Sequence, residues 1–179
     1  MHVKSKQMAF LGILSGLITI CIVVSSILEF NSLFFLCAAA YGIGIAIREF
    51  GIRSGFTCFA ACLMLGIFLA PNKLYLLTFS VFSCYILGRE GMYLFLGRRE
   101  SLRHRNVFYL LGKWILFHAF LIPVLLFFPK LIYPGELFTG FYILIFLVAQ
   151  VVWLIYDKGY DFFQSQIWSR IRNKISILK

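Results

Sequence analysis

Charged side chains are scarce in this chain, and their scarcity excludes a water-soluble protein. Only 13% of the 179 residues are Asp, Glu, Lys or Arg, whereas 61% are hydrophobic, and the mean hydropathy is +0.91. Because a folded chain needs polar groups over much of its surface, so few charges would leave most of that surface apolar in water. The composition therefore predicts an integral membrane protein.

Several sequence motifs are also missing. There is no phosphate-binding P-loop, so any ATP hydrolysis must occur on another polypeptide. Nothing resembles a nucleic-acid module, and the net charge of +10 is explained by anionic lipid at the inner leaflet rather than by nucleic acid. The five cysteines all lie within apolar runs, where they behave as small hydrophobic residues and not as a disulfide framework. We predict no metal and no other cofactor.

Apolar runs of membrane-spanning character recur along the chain. A spanning helix needs roughly 20 apolar residues, and somewhat fewer where the bilayer thins or neighbouring helices cover the ends. The runs occupy residues 8–28, 32–47, 55–70, 74–88, 113–128 and 137–156. They predict an all-α fold, an integral membrane bundle of about six transmembrane helices within residues 1–156.

The last part of the chain, residues 157–179, has a helical period of its own. Its apolar residues recur at spacings of three or four, and its basic residues lie mainly on the other side. The apolar positions are Tyr160, Phe163, Ile167, Ile171, Ile175 and Leu178. This pattern predicts a basic amphipathic helix at the cytoplasmic membrane interface, either separate from the sixth span or continuous with it. A docking element for a cytoplasmic subunit is the alternative.

Basic residues are distributed asymmetrically between the two ends of the predicted helices. Of the 17 Lys and Arg residues, all except Lys73 and Lys130 fall in the N-terminus, the tail and the connections after the second and fourth runs. The positive-inside bias makes those segments cytoplasmic. We therefore predict a multi-pass protein of the cell membrane with both termini in the cytoplasm and inner basic residues that contact anionic lipids.

Polar residues near the outward-facing connections form the candidate site for a small-molecule ligand. They come from all three outer connections and from the sixth run, and they are Glu29, Asn31, Asn72, Lys73, Lys130, Glu136 and Gln150. A compact bundle would bring them together over its outer mouth. Because Pro71 ends the third helix, Asn72 and Lys73 stand at a sharp corner. The alternative is that Lys73 and Lys130 only anchor helix ends to lipid headgroups.

Residues with catalytic potential lack the neighbours that catalysis needs. His118 has no carboxylate or second His one helical turn away, so a local hydrogen bond is its expected role. Cys58 and Cys62 are one turn apart without nearby His or acidic residues, which argues against a metal site. Cys84 has no base close in sequence. We therefore predict that the chain is not an enzyme and has no catalytic residues.

Small residues on the first helix form a flat stripe. Ala9, Gly12 and Gly16 share one face at about 100° per residue, and the Gly12-x-x-x-Gly16 pair allows another backbone to approach closely. The stripe predicts either packing inside the bundle or contact with a separate membrane protein.

In its layout the chain resembles the substrate-binding S components of energy-coupling factor (ECF) transporters. Residues 47–55, 70–73 and 155–157 also resemble an uncharacterised group of small bacterial six-span membrane proteins with this layout. In S components, small residues of the first helix contact a membrane coupling subunit, and the motif is usually two alanines four apart. That surface corresponds here to Ala9, Gly12 and Gly16.

The resemblance implies a function and partners. A non-enzymatic membrane subunit of this kind captures a small molecule from outside and works with the coupling subunit and cytoplasmic ATPases in trans. Ligands of S components bind near the outer loops and the later helices, which points to the outer polar residues named above. The alternative function, from a different class, is a structural or assembly protein that scaffolds other membrane proteins.

Overall fold

In the computed structural model, residues 2–97, 105–127 and 139–174 are described, and the regular structure within them is entirely helical. The elements are α1 (His2–Ile27), a 3₁₀ turn (Glu29–Asn31), α2 (Ser32–Phe50), α3 (Ile52–Leu69), α4 (Lys73–Gly97), α5 (Arg105–Phe127), α6 (Thr139–Phe162), a π-helical turn (Phe163–Trp168) and α7 (Ser169–Lys174). The predicted all-α class is confirmed for the described residues.

Among the described residues, three helices are long and apolar enough to cross a membrane. The qualifying segments are Ser5–Ile27, Ser32–Phe50 and Ile52–Leu69, and α5 contains a shorter apolar stretch, Val107–Pro123. These segments overlap the first three predicted runs. The remaining predicted runs lie largely within α4, α5 and α6, but those helices also carry charged residues, so six spans stay a prediction.

The connection between α2 and α3 is a single residue, Gly51. Its φ of +88° is accessible to glycine and strained for other residues, and its N–H donates to the carbonyl of Ile47 over 2.8 Å. The sequence predicted a longer polar connection here, because Arg48 and Glu49 follow an apolar run. Instead α2 continues to Phe50, so both charged residues belong to a helix. Arg48 contacts Glu90, and Glu49 accepts a hydrogen bond from Trp168.

The core lies where α2 packs between α1, α3 and α4. Ile22, Leu36, Ile43 and Phe79, contributed by α1, α2 and α4, are fully buried there. On the opposite flank α6 packs largely through aromatic side chains. Tyr41 Oη donates to the carbonyl of Tyr156 over 2.8 Å, for example. Tyr156 also packs against Phe82 and Tyr85, so these aromatic contacts join α6 to α2 and α4.

Beyond α6 the chain stays helical through the π-helical turn to Lys174, and no break falls at residue 157. Tyr160, Gln164 and Trp168 are buried at spacings of four, whereas Ile167 and Ile171 are exposed. Trp168 packs towards Phe10 of α1, with ring centroids 6.1 Å apart. The start of the tail is therefore part of the helical bundle. Residues 175–179 lie outside the described residues.

Candidate functional site

A group of oppositely charged side chains lies at one end of the bundle, where α2 and α4 finish and α5 starts. We call it the ion-pair cluster, and its members are Arg48, Arg89, Glu90, Lys113, Asp157 and Asp161. Three members are cationic and three are anionic, so their formal charges cancel. Four helices, α2, α4, α5 and α6, contribute to it.

Arg89 is the centre of this cluster. Only 1% of its surface is exposed, although it is a charged residue in an apolar bundle. Its Nη1 lies 2.8 Å from Asp157 Oδ1, its Nη2 contacts the Asp161 carboxylate, and its Nε donates to Tyr109 Oη over 3.1 Å. Since buried charge is costly unless it is paired and hydrogen-bonded, these contacts make the position of Arg89 tolerable.

Asp157 accepts contacts from three other side chains. Lys113 Nζ lies 2.5 Å from Oδ2, and Tyr85 Oη donates to Oδ1 over 2.8 Å. Trp153 Nε1 in turn donates to Tyr85 Oη over 2.8 Å. Both carboxylate oxygens are thus occupied, and the chain of donors fixes the rotamer of Asp157. This carboxylate therefore joins α4, α5 and α6 at one point.

The second ion pair connects α2 with α4. Arg48 Nη2 lies 2.7 Å from Glu90 Oε1, and the Glu90 side chain is 1% exposed. The ring of Tyr160, from α6, stands beside both guanidinium groups, with its centroid 4.5 Å from Arg89 and 5.3 Å from Arg48. An aromatic face stabilises a nearby cation, so Tyr160 bridges the two ion pairs. The ring rests against Gly44 of α2, where a side chain would leave no room for it.

A cleft of about 480 Å³ opens beside this cluster. We call it the Tyr93 cleft, and its walls are Ile47, Arg48, Glu90, Tyr93, Leu94, Tyr109 and Asp161. The rings of Tyr93 and Tyr109 meet edge to face at 6.0 Å. The Asp161 side chain is 57% exposed and supplies an accessible carboxylate. Small-molecule sites typically enclose about 300–1,000 Å³ and combine apolar walls with a few placed polar groups, as this cleft does.

His118 and Gln150 form a separate polar contact between α5 and α6. His118 Nδ1 lies 2.8 Å from the carbonyl of Trp114, and a carbonyl only accepts, so the proton is assigned to Nδ1. The other ring nitrogen, Nε2, then accepts from Gln150 Nε2 over 3.0 Å. The local role predicted for His118 fits this geometry. Gln150 was predicted to be part of the ligand site. Its side-chain amide is hydrogen-bonded to His118 instead.

The remaining predicted ligand residues that the structure describes, Glu29, Asn31, Asn72 and Lys73, lie at the opposite end of the bundle from the ion-pair cluster. Asn31 is exposed at the end of the 3₁₀ turn that Glu29 begins. Asn72 Oδ1 accepts from the N–H of Leu74 over 3.0 Å, and Lys73 Nζ donates to the carbonyls of Ile67 and Ala70. These contacts satisfy backbone groups at helix ends. Asn72 and Lys73 share one corner, while Lys130 and Glu136 lie outside the described residues.

The small-residue stripe of α1 is largely open. Ala9 and Gly12 are exposed and Gly16 is half-buried. A Cβ atom added to Gly12 or Gly16 would meet no atom of the described residues within 4 Å. Packing inside the bundle therefore does not use the stripe in the described part of the chain, which leaves room for a second helix against it.

From the sequence, the basic members of the ion-pair cluster were recognised only as residues that mark one side of the membrane. A usable signal was present, because Arg48-Glu49, Arg89-Glu90 and Asp157-Lys158 each place opposite charges at the end of an apolar run. Lys113 also begins a run instead of following one. In the described residues no three His, Cys, Asp or Glu side chains are arranged to hold a metal ion.

The geometry of the Tyr93 cleft suits the binding of a polar solute. The cleft offers carboxylates, a guanidinium group and phenol hydroxyls, which recognise a polar solute through hydrogen bonds and charge. Its lining residues include no serine or cysteine paired with a base. The chain matches no protein-family model, no curated protein and no solved structure, so its assignment depends on its own residues and geometry.

Proposed function

We propose that this chain is a non-enzymatic, membrane-embedded subunit that binds a small polar solute in the Tyr93 cleft. The observation that carries the proposal is the cleft itself, with a volume of about 480 Å³ and with Arg48, Glu90 and Asp161 in its walls. Buried ionisable groups in an apolar bundle are expensive and often mark a solute or ion pathway. The cluster beside the cleft supplies such groups already oriented.

The membrane placement is part of the proposal. Large apolar side chains are widely exposed, including Ile13 on α1 at 74% and Phe68 on α3 at 82%. Lipid covers such surfaces at no hydrophobic cost, whereas water does not. We place about six helices across the cell membrane, with both termini and the ion-pair cluster at the cytoplasmic side. In this orientation residues 157–174 lie at the inner leaflet.

The cleft indicates the chemical class of the solute. Its accessible carboxylate, Asp161, favours a cationic group or a hydroxyl donor on the ligand, whereas Arg48 favours an anionic or carbonyl group. The rings of Tyr93 and Tyr109 offer an apolar surface for the rest of the molecule. Because the cleft walls carry charges of both signs, Arg48 on one hand and Glu90 and Asp161 on the other, we propose a zwitterionic or polyhydroxylated solute and not a simple ion.

The final part of the proposal is that this chain functions together with an ATP-driven partner. The open stripe of Ala9, Gly12 and Gly16 supports contact with a membrane coupling subunit, as in the S components that the sequence resembles, with ATPases in trans. The Tyr93 cleft would then hold solute at the stage before its release into the cytoplasm. The same open stripe also suits an assembly protein that scaffolds other membrane proteins. Recovery with a coupling subunit and paired ATPases supports transport, and recovery only with other membrane machinery supports scaffolding.

Solute retention tests the binding proposal. We expect Asp161→Asn to reduce the amount of co-purified solute by roughly tenfold or more, because a hydrogen bond to a charged group is worth about 1.5–3 kcal/mol. Mass spectrometry of small molecules released from gently purified protein measures this. The matched control is Lys158→Gln, which removes an exposed charge from the same helix.

The outer polar residues provide the competing location for the ligand. Asn72→Ala and Lys73→Ala alter that end of the bundle without touching the Tyr93 cleft. If the cleft holds the solute, both variants retain it at the wild-type level. Solute lost from Asn72→Ala or Lys73→Ala but kept by Asp161→Asn would move the site to the outer residues and refute the cleft.

A further inference from the structure

A second, smaller pocket lies between the end of α2 and the π-helical turn. It has a volume of about 200 Å³, which is room for about six water molecules at ~30 Å³ each. We call it the Gln164 pocket, and its walls are Arg48, Glu49, Gln164, Trp168, Ser169 and Arg172. Apart from Arg48, none of these residues lines the Tyr93 cleft. The pocket is therefore a separate feature.

Gln164 is the unusual residue of this pocket. It is 4% exposed, and neither Nε2 nor Oε1 has a hydrogen-bond partner among the described residues. Buried side-chain amides are nearly always hydrogen-bonded, so an unpartnered one indicates a ligand or water that completes the site. The residue also belongs to a π-helical turn, Phe163–Trp168, and single π turns recur at functional positions.

The surrounding charges are arranged as a mixed site. Glu49 Oε1 accepts from Trp168 Nε1 over 2.9 Å and lies 3.3 Å from Arg172 Nε. Within the described residues, Glu49 Oε2 and the terminal nitrogens of Arg172 have no ion-pair partner and can contact another group. Together with Ser169 and the Gln164 amide, the pocket presents donors for an anion and acceptors for an ammonium group.

We propose that the Gln164 pocket binds the phosphoethanolamine headgroup of a membrane phospholipid. The phosphate is recognised by Arg172, Arg48 and the Nε2 of Gln164, and the ammonium group is recognised by Glu49 and the Oε1 of Gln164. Arginine suits phosphate because its planar fork donates two parallel hydrogen bonds. This inference rests on the proposed membrane location, which puts the pocket at the level of the inner headgroups.

The decisive variant is Gln164→Leu, which removes both polar atoms and keeps a similar side-chain volume. Because the amide has no protein partner in the described residues, its loss should not weaken the fold, so a loss of lipid binding is not a consequence of unfolding. The matched control is Gln166→Leu, two residues along the same turn, where the side chain is exposed.

The experiment measures lipid retention by native mass spectrometry and the Tm of the full chain in detergent. We expect phosphatidylethanolamine to raise the Tm of the wild type and of Gln166→Leu, and its affinity for Gln164→Leu to be at least about tenfold lower. Phosphatidylcholine should bind more weakly than phosphatidylethanolamine, since its methylated nitrogen donates no N–H hydrogen bond.

Three results would overturn the inference. One is equal phosphatidylethanolamine retention by Gln164→Leu and the wild type. Another is equal stabilisation by diacylglycerol, which has no headgroup. The third is a rise in Tm with inorganic phosphate that matches the rise with lipid, because the ligand would then be a free anion. None of these results changes solute retention in the Tyr93 cleft, so the two proposals fail separately.

Discussion

Replacing Arg89 with Met is expected to destabilise the protein by about 3–5 kcal/mol, which is the typical cost of removing one partner from a buried ion pair. The substitution removes the contacts of Arg89 with Asp157, Asp161 and Tyr109. Lys113 remains beside Asp157, but the carboxylate of Asp161 then stands without its cation. Met fills a similar volume, so the loss reflects charge and hydrogen bonding more than packing.

Reversible unfolding in detergent, followed by intrinsic fluorescence, measures the change for Arg89. Arg53→Met is the control, because it removes an exposed arginine from α3 and should change stability by less than about 0.5 kcal/mol. Arg89→Lys should fall between the wild type and Arg89→Met, since lysine keeps the charge but not the fork that contacts two carboxylates. An Arg89→Met variant as stable as Arg53→Met would show that the cluster does not hold the helices together.

Adding one methyl group at Gly44 is expected to cost about 1–3 kcal/mol through overpacking. An added Cβ atom would overlap Tyr160 Oη and lie 2.6 Å from the nearest ring carbon. Tyr160 is fully buried, so its ring cannot turn away into solvent. Gly44→Ala should therefore separate α2 from α6 and withdraw the aromatic face from Arg48 and Arg89.

A matched glycine and a compensating change make the Gly44 prediction specific. Gly12→Ala adds the same methyl group to α1 without a steric contact and should leave stability unchanged or slightly higher. Tyr160→Phe removes the hydroxyl that the added Cβ atom would meet, so it should partly rescue Gly44→Ala. Equal unfolding midpoints for Gly44→Ala and Gly12→Ala, measured in the same detergent, would contradict the packing described for Tyr160.

Local properties of this chain could be read from its sequence. The apolar runs predict the all-α class and locate the helices, because a run of apolar residues is visible in a short stretch of sequence without knowledge of tertiary contacts. Pro71 predicts the end of α3, which closes at Leu69. The stripe on α1 was also visible in the sequence as a pattern of small residues. Whether it packs inside the bundle or against a partner could be decided only from the positions of the neighbouring helices.

The ion-pair cluster could not be derived in this way. Its partners are far apart in the chain, with Arg48 and Glu90 separated by 42 positions and Arg89 and Asp161 by 72. The hydropathy pattern predicts that such residues lie near helix ends, but it does not predict which of them contact one another. Whether a charge near a helix end contacts lipid or a second charge depends on helix rotation, which packing determines. The unpartnered amide of Gln164 has no sequence signal, since the π-helical turn that buries it depends on the same packing.

In the orientation that we propose, the ion-pair cluster and the Tyr93 cleft lie at the cytoplasmic ends of membrane helices, opposite the corner formed by Asn72. Single cysteines at Tyr93 and at Asn72, introduced after the five native cysteines are replaced by alanine, test this with a membrane-impermeant thiol reagent. Asn72→Cys should react in intact cells, and Tyr93→Cys should react only after the membrane is permeabilised. Labelling of Tyr93→Cys in intact cells, with Asn72→Cys protected, would contradict the account.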